Sequence, residues 1–297
     1  MSKQAANMDR IGLILAGGTG SRMLPMTLAA NKHLLPVYDK PLVYYPLTTL
    51  MLARIRTVVV VSDPASLPGF KALLGNGSRW GVTIDYAEQA RPAGIADAVL
   101  QAADRIAGRP IAIVLGDNIF YRSGLPDQLA RAAARPKGAT VFAYPVNDPR
   151  RFGVIELDAS NRVLSLEEKP AQPRSNLAVP GLYFYDENAV PFARRLHPSA
   201  RGELEITDLN KIYLQRQELF VEPLGRGSTW LDGGTPDALF EAAQFVKVIE
   251  DRTGFKIACP EEVAYRLGYI SRHQLLTIVD GSPRCSYRDY LAAISEE

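Results

Sequence analysis

The sequence predicts an α/β fold, a Rossmann-like and predominantly parallel sheet with a small, mainly β insertion and a C-terminal helical segment. Short apolar runs at 11–15 (IGLIL), 57–62 (TVVVVS) and 111–115 (IAIVL) suit strands buried on both faces. Between the last two, Ile95, Val99, Ala102 and Ile106 recur at helical steps and give a helix one apolar stripe. After about residue 140 the pattern shifts to closely spaced short strands. Strands alternating with helices imply a parallel sheet with right-handed crossovers, and such sheets bind ligands beyond the carboxyl ends of their strands.

In chain order, the first ten residues, MSKQAANMDR, lack the apolar core of a signal peptide and read as a disordered start. The strand at 11–15 runs into Gly17, Gly18 and Gly20, then two cations, Arg22 and Lys32. Glycines at this density let backbone N–H groups approach an anion closely, so residues 11–36 read as a polyphosphate-binding stretch. A Walker A loop is excluded, because no lysine follows a glycine before Lys32, which itself follows Asn31. A dinucleotide fingerprint fails where Met23 replaces the last glycine, and the candidate acid, Asp39, sits in a Tyr-Asp-Lys-Pro turn.

A helix is expected over 46–54 before the strand at 57–62. The strand at 111–115 ends in Gly116-Asp117-Asn118, so that turn and residues 17–22 should lie on one sheet edge. Short strands follow at TVFAYPV, GVIELD and RVLSLEEK, the last two joined by a hairpin turn at Ala159-Ser160-Asn161. VPGLYFYD reads as a strand, ELEITDLNKIYLQ as a helix and ELFVEPLG as a strand. Pro236 then opens a helix whose stripe includes Leu239, Ala243 and Val246. From about 255 there is a Cys-Pro-Glu-Glu helical segment and a weakly patterned tail. The expected divisions are 1–10, an α/β domain over 11–250 with a subregion at about 145–225, and a C-terminal segment over 251–297 for subunit contacts.

Composition narrows the function. Thirty-four Lys and Arg against 32 Asp and Glu leave a formal charge of +2, which calls for neither nucleic acid nor a membrane surface. Cys259 and Cys285 make neither a metal spacing nor a disulfide framework, which suits a reduced cytoplasm. No apolar run approaches a membrane span.

The string from Gly17 to Pro36 resembles the signature of the sugar-1-phosphate nucleotidylyltransferases, Gly-Gly-x-Gly-Thr/Ser-Arg-Leu-x-Pro followed by Lys-x-Leu-Leu-Pro. The stretches LVYYPLTTLMLA, VLGDNIFY, EEKP, GLYFYD and RGELEITDLN are most similar to the thymidylyltransferase branch of that family, over most of residues 10–270. The resemblance implies attack by a glucose 1-phosphate oxygen on the α-phosphorus of dTTP, releasing pyrophosphate. The substrate is its own nucleophile, so catalysis would be positioning and charge neutralisation.

By this resemblance Arg22 would hold the outgoing pyrophosphate and Lys32 would face the α-phosphate. Asp117 and Asp232 would be the magnesium ligands, magnesium being content with one or two carboxylates beside substrate phosphates. Leu15, Gly17, Gly18, Thr19 and Gly20 would line the nucleotide site. Gln89, backed by Gly94, would read the base, since its amide offers one acceptor and two donors to the N3–H and a carbonyl of thymine or uracil. Lys169 and Arg201 would bind the sugar phosphate, Glu168 would accept from sugar hydroxyls, and Asn118, Gly153 and Val179 would complete that side. The small β insertion would be sugar-binding, the assembly a homotetramer, and a downstream dTDP-sugar an inhibitor at an intersubunit site.

Four positions depart from the family's pattern: His33 stands for glutamine, Ala93 for an acid, Phe152 for tyrosine and Gly233 for threonine. Ala93 and His33 bear on the nucleoside half, and His33 reads as a hydrogen-bonding substitute because the chemistry needs no base. His197 and His273 have no assigned role. Thymine and uracil differ by one methyl, worth about 1–3 kcal/mol, so UTP use is expected as well. The alternatives are a uridylyltransferase, an enzyme for a modified hexose 1-phosphate, and a non-catalytic nucleotide-sugar sensor.

Overall fold

In the computed structural model, which describes residues 9–296, the strand Ile11–Leu15 lies inside a ten-stranded sheet. It pairs in parallel with Thr57–Ser62 on one side and Ile111–Leu115 on the other, the three predicted runs in register. All five residues of Ile11–Leu15 are buried, as expected of a parallel strand covered on both faces. Gly12 admits the helix Tyr44–Leu52 against the sheet, since a Cβ there would meet the Leu50 side chain at 2.7 Å. Thr83–Glu88 extends the parallel set to the sheet's edge; its half-open face gives alternating burial and no continuous apolar run.

On the other flank the sheet turns antiparallel. Leu182–Tyr185 pairs with Ile111–Leu115 and with Ala139–Pro145, and Leu219–Pro223 joins Ala139–Pro145 in parallel. Leu177–Ala178 bridges Ala139–Pro145 to the hairpin Gly153–Leu157/Val163–Glu168, so the short strands extend the central sheet. The hairpin turn forms where expected: Asp158 Oδ1 accepts from the N–H groups of Ser160 (2.8 Å) and Arg162 (2.9 Å), and Asn161 takes φ 61°.

Several boundaries differ from the expectations. The predicted disorder of residues 1–8 lies outside the described residues, but Arg10 belongs to the fold. Its buried guanidinium donates to the carbonyls of Ile111 (3.0 Å), Tyr185 (2.6 Å), Ala133 (3.1 Å) and Arg135 (3.2 Å). The helix expected at 46–54 starts earlier and ends at Leu52. The periodic run from Ile95 forms two helices, Ile95–Gln101 and Ala103–Ile106, hinged at the buried Ala102. Pro236–Thr253 is capped by Thr235 Oγ1 accepting from Ala238 N (3.2 Å), and it buries Leu239, Ala242, Val246 and Glu250; Ala243 lies on the flank of that stripe.

The weakly patterned tail is two helices, Arg272–Asp280 and Ser286–Ile294, packed on Pro260–Arg266. A Ser271/Gln274 capping box starts the first. Glu261 ties this lobe to the body by accepting from Trp80 Nε1 (2.9 Å) and Tyr287 OH (2.7 Å). No helix among the described residues is long and apolar enough to cross a membrane.

Candidate active site

The glycine-rich turn and the Asp117 turn meet at the carboxyl edge of the sheet, through an ion pair between Lys32 Nζ and Asp117 Oδ2. Gly18 (φ +106°) and Gly20 (φ +60°) take left-handed conformations, and Thr27 Oγ1 donates to Gly20 O (2.9 Å) to close the loop. Gly18, Thr19, Gly20, Lys32 and Gln89 line a cavity of about 520 Å³. A second hollow of about 230 Å³ adjoins it, bounded by Leu15, Gly17, Gly94 and Asp117 as well as Lys32 and Gln89.

A feature absent from the sequence reading brings the two predicted carboxylates together. Thr229–Asp232 pairs with Asn118–Tyr121 as a two-stranded ribbon, with Asp232 opposite Asn118, and Gly233 N donates to Asp117 O at 2.8 Å. Asn118 is committed within the protein: its Oδ1 accepts from Trp230 Nε1 (2.7 Å) and Gly181 N (3.0 Å), and its Nδ2 donates to Asp117 Oδ1 (2.8 Å). It also lines the sugar-side cavity described below, where it holds Asp117 in orientation.

The two carboxylates are electrostatically opposite. Burial pushes Asp117 up, but the Lys32 charge and the hydrogen bonds from Lys32 and Asn118 outweigh it and hold the carboxyl at about 2. Asp232 is pushed above the usual range, by burial first and then by the Asp117 charge, and has no hydrogen bond or ion pair among the described residues. Two neighbouring carboxylates, one of them without a paired cation of its own, fit a divalent cation. No group of three or more His, Cys, Asp and Glu is placed to hold a metal among the described residues, so the remaining ligands would come from substrate phosphates and water.

Beyond the carboxylates a cavity of about 270 Å³ gathers Arg22, Gly153, Glu168, Lys169, Val179 and Arg201. Arg22 lies against Gly234, its Nη2 3.4 Å from where a Cβ would stand. Glu168 Oε2 accepts from Thr207 Oγ1 (2.6 Å), and Arg201 is held by Glu205 (2.8 Å) with Glu168 at 3.5 Å. Lys169 projects from a left-handed residue (φ 46°) whose N–H donates to Phe152 O (3.0 Å). Val179 N donates to Gly153 O at 2.8 Å. Arg151, Tyr183 and Trp230 also face this cavity; Tyr183 stands in the GLYFYD stretch, but no pattern in the sequence set any of the three side chains apart from core or surface positions.

On the nucleotide side, Gln89 Nε2 donates to Gly94 O (3.0 Å) and Asp97 Oδ2 (2.7 Å). Both amide hydrogens are thus used within the protein, and only Oε1 is offered to the cavity, near Gly17. This narrows the expectation of one acceptor and two donors for the base. Gly94 (φ +104°) has no room for a side chain, since a Cβ would stand 2.3 Å from Leu204 O. Leu204 N also donates to Ala93 O (2.8 Å), joining the base-side loop to the sugar-side segment.

His33 is buried beneath Gly116, with Nδ1 2.7 Å from Asn31 Oδ1. Burial, then the Lys32 charge, pushes its pKa down to about 3, so the imidazole is neutral and buttresses the two strand-end turns. Phe152 packs edge-on to Trp230 with centroids 5.0 Å apart.

A family model described as Nucleotidyl transferase matches residues 11–248. Glucose-1-phosphate thymidylyltransferase of Xanthomonas campestris pv. campestris is 51% identical over 288 residues, 97% of this chain and 98% of the relative. The Mycobacterium tuberculosis protein of the same name is 50% identical over 285 residues, 96% and 99% of the two chains. A solved Bacillus anthracis structure assigned to the same activity superposes with a TM-score of 0.73 at 38% identity, covering 79% of this chain and 94% of that one. A UDP-glucose pyrophosphorylase complexed with UDP-glucose shares the fold, with a TM-score of 0.73 at 22% identity over 82% of this chain and all of that one. With its glycine-rich turn, paired carboxylates and two-sided cleft on one sheet edge, the chain belongs to the nucleotidyl transferase family, among the glucose-1-phosphate thymidylyltransferases.

Proposed function

We propose that this protein transfers a thymidylyl group from dTTP to glucose 1-phosphate, giving dTDP-glucose and pyrophosphate. The observation that carries the reading is the position of Asp117 and Asp232, with Lys32 and Arg22, between a cavity bearing Gln89 and one bearing Glu168 and Lys169. Two anions must be brought together there, and the cleft supplies cations on both sides. A magnesium ion held by Asp117 and Asp232 would neutralise triphosphate charge. Lys32 would exchange Asp117 for the α-phosphate, and Arg22 would hold the leaving pyrophosphate. Lys169 and Arg201 would fix the sugar phosphate, and Glu168, pinned by Thr207, would accept from sugar hydroxyls.

Base choice follows from Gln89. An acceptor facing the base suits the N3–H of thymine or uracil and opposes the N3 lone pair of cytosine. Leaving such a buried pair unmet costs about 1–3 kcal/mol, so dTTP and UTP should both exceed dCTP by roughly tenfold or more. We further read the enzyme as a cytoplasmic homotetramer that serves deoxysugar synthesis, with the C-terminal helices in subunit contacts and a dTDP-sugar as feedback inhibitor.

The test is pyrophosphate release with glucose 1-phosphate and magnesium across dTTP, UTP, dCTP, ATP and GTP. Release with dTTP, alone or ahead of UTP, supports the reading, and release led by UTP would make the enzyme a uridylyltransferase. Silence from folded protein, with calorimetric binding of dTDP-glucose retained, would replace it with a nucleotide-sugar sensor. Release only with another hexose phosphate would change the acceptor.

A further inference from the structure

The Gln89 carboxamide is symmetric in shape, and nothing in its own chemistry decides whether oxygen or nitrogen faces the base. Its surroundings decide. Gln89 follows the edge strand Thr83–Glu88 and is nearly buried, and its N–H donates to Ser62 O (2.9 Å), which fixes the backbone. On the far side of the carboxamide from the cavity stand two acceptors, Gly94 O at 3.0 Å and Asp97 Oδ2 at 2.7 Å. Gly94 O is a backbone carbonyl and can only accept, and Asp97 adds a full negative charge beside it.

Asp97 is itself held in place. It sits in the first turn of Ile95–Gln101, where a carboxylate is favoured by the helix dipole, and its Oδ1 accepts from Gln101 Nε2 one turn on (3.2 Å). Turning the Gln89 carboxamide over would set its oxygen against both a carboxylate and a carbonyl and carry both amide hydrogens away from these acceptors to the cavity side.

We propose that Asp97 is a specificity-determining positioning residue, locking the Gln89 oxygen toward the cavity so that only a nucleobase donating from N3 is accepted. The proposal rests on Gln89 being the base reader. Asparagine at 97 has the same shape but can accept or donate, so Gln89 could then turn over, pairing its oxygen with the asparagine N–H and offering cytosine N3 a donor.

The experiment compares kcat/KM for dTTP and dCTP, with glucose 1-phosphate and magnesium, in the full-length wild type, Asp97→Asn, Asp97→Ala and Gln89→Ala. Asp97→Asn should narrow the dTTP preference about tenfold, chiefly through a rise in kcat/KM for dCTP, and Asp97→Ala should narrow it in the same direction. A residue that merely supports the helix would lower both nucleotides alike. Equal losses with the ratio intact in both Asp97 variants, while Gln89→Ala narrows it, would overturn the role of Asp97 and leave Gln89 as the reader. An unchanged ratio in Gln89→Ala would overturn both.

Discussion

Replacing Lys32 by methionine keeps the aliphatic stem and removes the charge that faces Asp117. Asp117 is held at about 2, below the ordinary aspartate value of 3.8, largely by Lys32, and its side chain is 16% exposed. A depression of that size corresponds to about 2 kcal/mol of folded-state stability near neutral pH. Breaking a fully buried pair costs about 3–5 kcal/mol, and the Asn118 amide still donates to Asp117, so about 2–3 kcal/mol is expected. In a chain of this size that lowers the melting temperature by about 3–5 °C. Because the folded pKa is depressed, the wild-type contribution is complete above the ordinary aspartate range and disappears as pH falls toward about 2. Calorimetry in chelator should therefore show a gap between wild type and Lys32→Met at pH 7 that closes on acidification. Magnesium should recover more stability in the variant, where it meets two carboxylates without a competing ammonium. Equal melting temperatures in chelator, or an equal response to magnesium, would refute this account of the pair.

Gly153→Ala places a methyl 3.3 Å from Thr207 Oγ1 and 3.4 Å from Glu168 Oε2, tight enough to disturb their hydrogen bond. Stability should change by under about 1 kcal/mol, while KM for glucose 1-phosphate should rise about tenfold and KM for dTTP should stay near wild type, measured by steady-state kinetics. His33 has its folded pKa below its unfolded one, so the unfolded chain binds the extra proton and folded-state stability falls as pH drops from about 6.5 toward about 3. Urea denaturation from pH 7 to 4 should show this slope, at most about 1.4 kcal/mol per pH unit from this residue, and His33→Gln should flatten it.

The parallel half of the fold was legible because its three inner strands are buried on both faces and leave continuous apolar runs. Thr83–Glu88 escaped notice because an edge strand needs no such run. The tail patterns weakly in sequence because its two helices bury only narrow stripes, Leu275 and Val279 on one and Leu291 and Ile294 on the other, although Ser271 and Gln274 carry a capping box. At the site, the glycine-rich turn and its two cations announced a polyphosphate because the chemistry lies in one contiguous stretch. Asp117 and Asp232 could be paired only through family resemblance, since the ribbon Asn118–Tyr121/Thr229–Asp232 joins distant segments with no periodic signal. The Gln89 amide stood out in sequence but its orientation did not, because the partner of its Nε2, Asp97, reads in sequence as one more helix acid.

The central claim is direct transfer between two bound anions, with no protein nucleophile. Exchange of labelled pyrophosphate into dTTP tests it, with magnesium and with or without glucose 1-phosphate. Direct transfer predicts no exchange in the absence of the sugar phosphate and rapid exchange once glucose 1-phosphate is added. Exchange without the sugar phosphate would reveal a nucleotidylated protein intermediate and contradict the account.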